Sequence, residues 1–311
     1  MTMETNTEKI EPKKVMSRSR KKLIFYILVM AYPLIQFSIF YIGVNINSIL
    51  LAFKEYDFEG KGYAWIGFKQ FSDCITLIKT DAVFRYAFKN SFITYLVSAV
   101  VSSLLALFFS FYIYKKKAGS TFFRIMLFVP SIISPLVLAI MFNNMAEDAL
   151  PRYVLSIFGA EIQPLLSGKS AFAVLNFYRI WVGFGTSIII YNGSMAAIDV
   201  SVTEAAKLDG ATGLREFIYI IFPLIYSTFV TFFIVGLAAL FTEQMNLYSF
   251  YGTQANISLY TIGYYLYEKT ASASITEYPL LSAFGLMLTF VTVPVVFAVK
   301  WLMRKIGPSV N

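Results

Sequence analysis

The chain has 311 residues, of which 58% are hydrophobic and 14% charged, whereas ordinary soluble domains hold roughly 45–50% and about 25%. With one cysteine (Cys74) and no histidine, it excludes an intramolecular disulfide, a thiolate metal cluster and the Ser-His-Asp and Cys-His catalytic sets. The formal charge of +8 would suit nucleic acid, but the basic residues collect at the ends of apolar runs, as positive-inside topology requires, so no nucleic-acid partner is expected.

In chain order, residues 1–22 are polar and basic, with Lys9, Lys13, Lys14, Arg18, Arg20, Lys21 and Lys22. They read as a cytosolic N-terminal segment. The apolar run that follows shows no small-residue cleavage site and is longer than a signal-peptide core, so it reads as an uncleaved first span. Six runs are long enough to cross a bilayer: 23–44, 92–114, 122–142, 171–195, 218–240 and 281–303. The expectation is an all-α membrane protein, with 23–311 as one six-helix transmembrane domain.

The loops set the orientation. Lys115, Lys116, Lys117 and Arg124, then Lys207 and Arg215, then Lys300, Arg304 and Lys305 all fall on the side of the basic N-terminus. The segments 143–170 and 241–280 hold only Arg152, Lys169 and Lys269. Both termini are therefore expected in the cytosol, with the chain in a bacterial inner membrane. Pro33, Pro130, Pro135, Pro223 and Pro294 fall within spans and are expected either as ordinary membrane-helix prolines or as kinks lining a cavity.

Before the fifth span lies Glu204-Ala205-Ala206-Lys207-Leu208-Asp209-Gly210-Ala211, followed by Phe217, Ile220 and Pro223-Leu224. The pattern predicts a short helix, a glycine turn and a second helix, with Ser201 as N-cap and Glu204 completing a capping box. The paired alanines give a small face for close approach, and Gly210 suits the positive φ at which a helix stops. Coupling residues expected in the 196–217 loop are Glu204, Ala205, Ala206, Asp209, Gly210 and Phe217.

That spaced set resembles the EAA loop of ABC importer permeases, closest to the sugar-type branch and its maltose-type, larger-partner group. Further similar segments are Tyr32-Pro33, Phe53 through Asp57, Gly67-Phe68, Asn90-Ser91, Phe122-Phe123-Arg124, Phe128 with Pro130, and Trp181 through Gly185. Ile198-Asp199 and Thr203 depart from the family pattern. The resemblance implies a type I importer permease fold with a cytosolic coupling helix. It also implies alternating access driven by two separate ATP-binding subunits, a second permease subunit as heterodimer partner, and a solute-binding lipoprotein outside that delivers a carbohydrate. ATP and Mg would sit on the partner ATPase, with no cofactor on this chain.

The nearest phosphate-loop pattern, from Gln163 to Ser170, ends in Gly168-Lys169-Ser170 but opens on glutamine instead of glycine, and it falls on the external side. It reads as a decoy. Solute-path candidates are Asn176, Tyr178, Arg179, Trp181 and Asn192, with Thr242, Glu243, Gln244 and Asn246 after the fifth span. An ionisable group within a span is a functional candidate by default. Tyr248, Tyr251, Tyr260, Tyr264, Tyr265 and Tyr267 are expected at the lipid interface, with docking to the binding protein as the functional alternative. A secondary transporter or a channel is the rival class: the first would need acidic residues in mid-span, and neither would need a coupling loop.

Overall fold

The computed structural model describes residues 18–308. Residues 1–17, the greater part of the predicted cytosolic segment, lie outside the described residues. Residues 18–22 are helical and run into the first span, whose membrane-length part begins at Lys22. The chain divides into two compact units, residues 1–51 and 52–311.

The first unit is one helix: α1 (Arg18–Gln36), a π-helical stretch (Phe37–Gly43) and α2 (Val44–Leu51). Its membrane-length part, Lys22–Leu51, has 30 residues, about 45 Å at 1.5 Å per residue. The expected span ended near 44, and the polar residues Asn45, Asn47 and Ser48 follow it. The Asn45 and Ser48 side chains donate to the carbonyls of Tyr41 and Val44, which satisfies them within the helix.

The second unit opens on an antiparallel hairpin, β1 (Lys54–Asp57) with β2 (Gly62–Trp65), in which Lys54 faces Trp65 and Asp57 faces Gly62. This hairpin is the small exception to an all-α fold among the described residues. Next come α3 (Lys69–Thr80) and α4 (Ala82–Val97), which continues through a π-helical turn (Ser98–Ser102) into α5 (Ser103–Tyr114). Asp81 caps α4 by accepting the Val83 N–H. The second span is thus a 33-residue helix, Ala82–Tyr114. It starts ten residues before the expected 92: Asp81 caps it, Arg85 and Lys89 lie on its exposed face, and Asn90 and Ser91 face protein.

The third span is the main correction. A straight helix over 122–142 is not what forms: α6 (Ser120–Ile132) stops, and α7 (Pro135–Asn144) runs through a π-helical turn (Met145–Ala149) into α8 (Leu150–Phe158), bent 102° from α6. Pro135 is the cause. It disfavours helical backbone at the residue before it, and both Ile133 and Ser134 are extended. Pro33, Pro130 and Pro294 lie inside continuous helices.

The remaining elements are α9 (Ala171–Ala196), α10 (Val200–Leu208), α11 (Leu214–Glu216), a π-helical turn (Phe217–Ile221), α12 (Phe222–Ala238), α13 (Leu247–Tyr251), a 3-10 turn (Ile257–Leu259), α14 (Ile262–Ser272) and α15 (Tyr278–Ile306). Four unbroken helices are long and apolar enough to cross a membrane. The bent pairs α6–α8 and α9, which turns 40° between Gly183 and Gly185, bring the number to six.

α9 is the axis of the second unit, with α5 and α6 packed along it. One apolar cluster gathers round its N-terminal half, including Leu138, Phe142, Leu175, Tyr178 and Tyr264; a second, round its C-terminal half, includes Ala106, Leu107, Ile188, Met195, Ile221 and Ile225. The tyrosines expected at the interface divide. Tyr260, Tyr264 and Tyr265 are core residues, whereas Tyr248 and Tyr267 are exposed and pack edge-on. Tyr264 and Tyr251 donate their hydroxyls to the Gly252 and Leu166 carbonyls, each at 2.7 Å, so these rings staple loops, which an apolar ring with one polar tip does well.

At Gly185 the α6 backbone comes so close that any Cβ would overlap the Leu127 carbonyl; a Cβ at Gly183 would meet nothing. Overpacking costs about 1–3 kcal/mol, and here the obstacle is backbone. Gly185→Val is expected to lower the melting temperature of the purified protein by about 5 °C or more, while Gly183→Ala leaves it unchanged. Equal melting temperatures would contradict the close α6–α9 crossing.

Candidate functional site

Two sites emerge at opposite ends of α9. At the first, Arg179 donates to Glu243 at 2.9 Å, with both side chains partly exposed. Burial pushes the Glu243 carboxyl up, but the Arg179 charge and hydrogen bond, with the Met245 N–H, outweigh it and hold it below the usual carboxylate range. The two groups form an ion pair whose opposite charges offset each other. Around it lies a cavity of about 320 Å³ lined by Tyr178, Asn246, Ser98, Ser102 and Ser187. A smaller cavity of about 100 Å³ shares Arg179, Ser98, Ser102 and Ser187 and reaches Tyr191.

The Glu243 side of the cavity is held by a relay of polar contacts. Asn90 donates to the carbonyls of Ser258 and Tyr260 at 2.7 and 2.9 Å, and Ser91 Oγ accepts the Ile262 N–H. These bonds fix the stretch from which Thr261 donates to the Glu243 carbonyl at 2.7 Å. Asn246 has a φ of 55°, a left-handed conformation that asparagine tolerates better than most residues.

Of the sequence candidates, Tyr178, Arg179, Glu243 and Asn246 meet at this cavity. The others do not. Asn176 is buried and donates to Phe172 in its own helix. Asn192 donates to the Ser110 carbonyl at 3.4 Å. Trp181 packs against Phe142 and Tyr178, and Thr242 and Gln244 lie in the turn after α12. Sequence reasoning missed Ser98, Ser102 and Ser187. The first two stand four apart in an apolar span, which places them on one helical face.

At the second site α10 stands out from the bundle. Its N-cap is Asp199, not the expected Ser201: Asp199 Oδ1 accepts the Ser201 N–H at 2.9 Å. That hydrogen bond holds the Asp199 carboxyl below its ordinary value. The capping-box reading therefore fails, because the helix begins one residue before Ser201 and Glu204 is left on the exposed face. At the other end Gly210, with φ 78°, donates to the Lys207 carbonyl while Ala211 donates to Ala206, the paired bonds of a Schellman stop.

The expected coupling residues divide by exposure. Glu204, Ala205, Asp209 and Gly210 face outward, beside a fully presented Leu208. Ala206 is buried, so the two alanines do not share a face. Phe217 turns inward and packs against Phe111 at 5.0 Å between ring centres. Beside it Glu216, 1% exposed, lies 2.6 Å from Lys115 Nζ. The loop thus has an outer polar edge and an inner anchor.

The Gln163–Ser170 stretch is occupied by the chain's own groups. Glu147 accepts the N–H groups of Leu166 and Ser167 and the Ser167 hydroxyl. A phosphate loop needs such N–H groups free.

A family model described as binding-protein-dependent transport system inner membrane component matches residues 99–311. The sn-glycerol-3-phosphate transport system permease protein of Agrobacterium fabrum is 28% identical over 69% of this chain and 71% of its own. The multiple sugar-binding transport system permease protein of Streptococcus mutans is 23% identical over 88% and 92%. A bacterial ABC transporter involved in the import of the acidic polysaccharide alginate superposes with a TM-score of 0.76 at 18% identity, covering 94% of this chain and 100% of that one. With more than half its length matched, and with the bundle and exposed loop described above, the chain belongs to the inner-membrane permease components of binding-protein-dependent ABC importers.

Proposed function

We propose that this permease carries an uncharged sugar or oligosaccharide into the cytoplasm, driven by separate ATP-binding subunits that dock on α10. The observation that carries this reading is the construction of the 196–217 loop. Its outer edge presents Glu204, Ala205, Asp209 and Leu208, and its inner edge is fastened by Ala206, Glu216 and Phe217. A connector that merely joined two spans would need no such projecting, capped helix. The sugar part rests on the cavity: serine hydroxyls, Asn246 and Tyr178 offer donors and acceptors to a polyol, and the Arg179 charge is already matched by Glu243. Among the relatives, the name of the multiple-sugar permease points the same way, whereas the glycerol-3-phosphate permease and the importer of the acidic polysaccharide alginate are named for anionic solutes.

In this reading both termini face the cytosol, a second permease completes a heterodimer, and a lipoprotein outside delivers the solute. ATP and Mg bind the partner ATPase. This chain performs no hydrolysis, a reading supported by the Glu147 carboxylate sitting where a phosphate would. A secondary transporter would need an acidic group poised to load a cation, and Glu243 is engaged by Arg179.

Docking is tested on the loop. Ala205→Trp blocks close approach, Glu204→Lys reverses an outward charge, and Gly210→Val strains the turn by about 1–2 kcal/mol. Each is expected to insert normally but to retain less ATPase on co-purification and to lose uptake, with Glu204→Lys the most severe. Full retention and normal uptake in all three would reduce the loop to a connector. Orientation is tested by single cysteines in a Cys74→Ser background. Position 161 is expected to be labelled from outside, and positions 116 and 210 only from the cytosol. External labelling at 116 would invert the topology.

A further inference from the structure

Three lysines follow α5, but only Lys115 turns inward; Lys116 and Lys117 are exposed. Of the acidic residues in the 196–217 loop, only Glu216 is buried. These two meet, with Nζ 2.6 Å from the carboxylate and side-chain exposures of 20% and 1%. The ammonium also lies over the Phe111 and Tyr114 rings at 5.8 and 6.0 Å, and Phe111 in turn holds Phe217. One ionic and one aromatic contact thus bridge the same gap, from the last turn of α5 to the foot of the loop.

We propose that the Lys115–Glu216 pair is the tie that carries movement of the coupling loop into the solute cavity. The proposal rests on the reading that α10 docks on an ATPase. Removing one partner from a buried ion pair leaves an uncompensated charge, so the pair resists separation more than a solvated contact would. From Lys115 the rigid α5 leads back twelve residues, about 18 Å, to Ser103, which lines the smaller cavity with Ser102 and Ala106. A displacement of Glu216 is therefore delivered to the cavity wall along a helix. The outward acidic residues of the loop, Glu204 and Asp209, have no such link to α5 among the described contacts. Lys115 and Glu216 act as positioning residues; neither touches solute or nucleotide.

The test uses the assembled importer in proteoliposomes, reading ATP hydrolysed and solute taken up in the same vesicles. Glu216→Gln keeps the shape and removes the charge. It is expected to retain the ATPase and to hydrolyse ATP, but to spend about tenfold more ATP per solute, in line with coupling energies carried by single contacts. The exchanged pair, Lys115→Glu with Glu216→Lys, is expected to restore the ratio to within about threefold. A second measurement covers variants that fold poorly. Lys115→Cys with Glu216→Cys in a Cys74→Ser background, joined by a short thiol cross-linker, is expected to transport normally, because the tie stays closed throughout the cycle. An unchanged ratio in Glu216→Gln, or a cross-linked importer that no longer transports, would overturn the proposal. A wild-type chain that retains no ATPase would instead remove the docking reading beneath it.

Discussion

Inside a bilayer no water is available to a backbone N–H or C=O, and each group left unpaired costs several kcal/mol. The spans of this structure follow from that constraint. Helices meet it by themselves. Outside the spans, where the chain leaves helix, side chains supply partners to the turns: Glu147 takes two N–H groups of the turn before α9, Asn90 serves two carbonyls of the 256–262 stretch, and Ser91 takes the first N–H of α14. The side chains that satisfy these turns also fix the walls of the cavity. Glu243 stands where it does because Thr261 holds its carbonyl and Asn90 holds the stretch on which Thr261 sits.

Two ion pairs mark the two ends of the α5–α9 packing. Arg179–Glu243 lies in the cavity with its carboxylate 28% exposed; Lys115–Glu216 lies beneath the loop with its carboxylate 1% exposed. Their different exposures suit different work. A partly solvated pair can exchange partners with a polar solute at modest cost, whereas breaking a buried pair costs about 3–5 kcal/mol. The close contact of α6 with α9 at Gly185 lies between them. A motion that enters at the loop thus meets a stiff, closely packed axis before it reaches the cavity.

Much of this was legible in the sequence because lipid imposes long apolar runs. Five of the six spans appear close to where hydropathy put them, and the glycine stop after α10 lies at Gly210 as its pattern required. The failures share a cause. Asn45, Ser48, Asn90 and Ser91 fall just outside the expected spans because polar residues end a hydropathy run, yet each finds a partner inside the protein. The break before Pro135 was obscured because apolar residues continue across it, and hydropathy carries no angle. Asp199 took the cap from Ser201 because its carboxylate accepts the Ser201 N–H, which starts the helix at Val200. Contacts such as Arg179 with Glu243 or Lys115 with Glu216 join residues far apart in sequence. No local pattern shows which candidates converge, nor that Ala206 and Phe217 turn inward.

The central claim is that this chain conducts solute only when a separate ATPase drives it. The most direct measurement is uptake of a labelled neutral oligosaccharide into proteoliposomes holding the whole importer. Binding protein is supplied outside and ATP inside, and wild-type ATPase is compared with a hydrolysis-dead form. The account predicts uptake against a gradient with the first and none with the second. Equal uptake with both, or uptake by this chain alone down a gradient, would make it a channel or a secondary transporter and contradict the account.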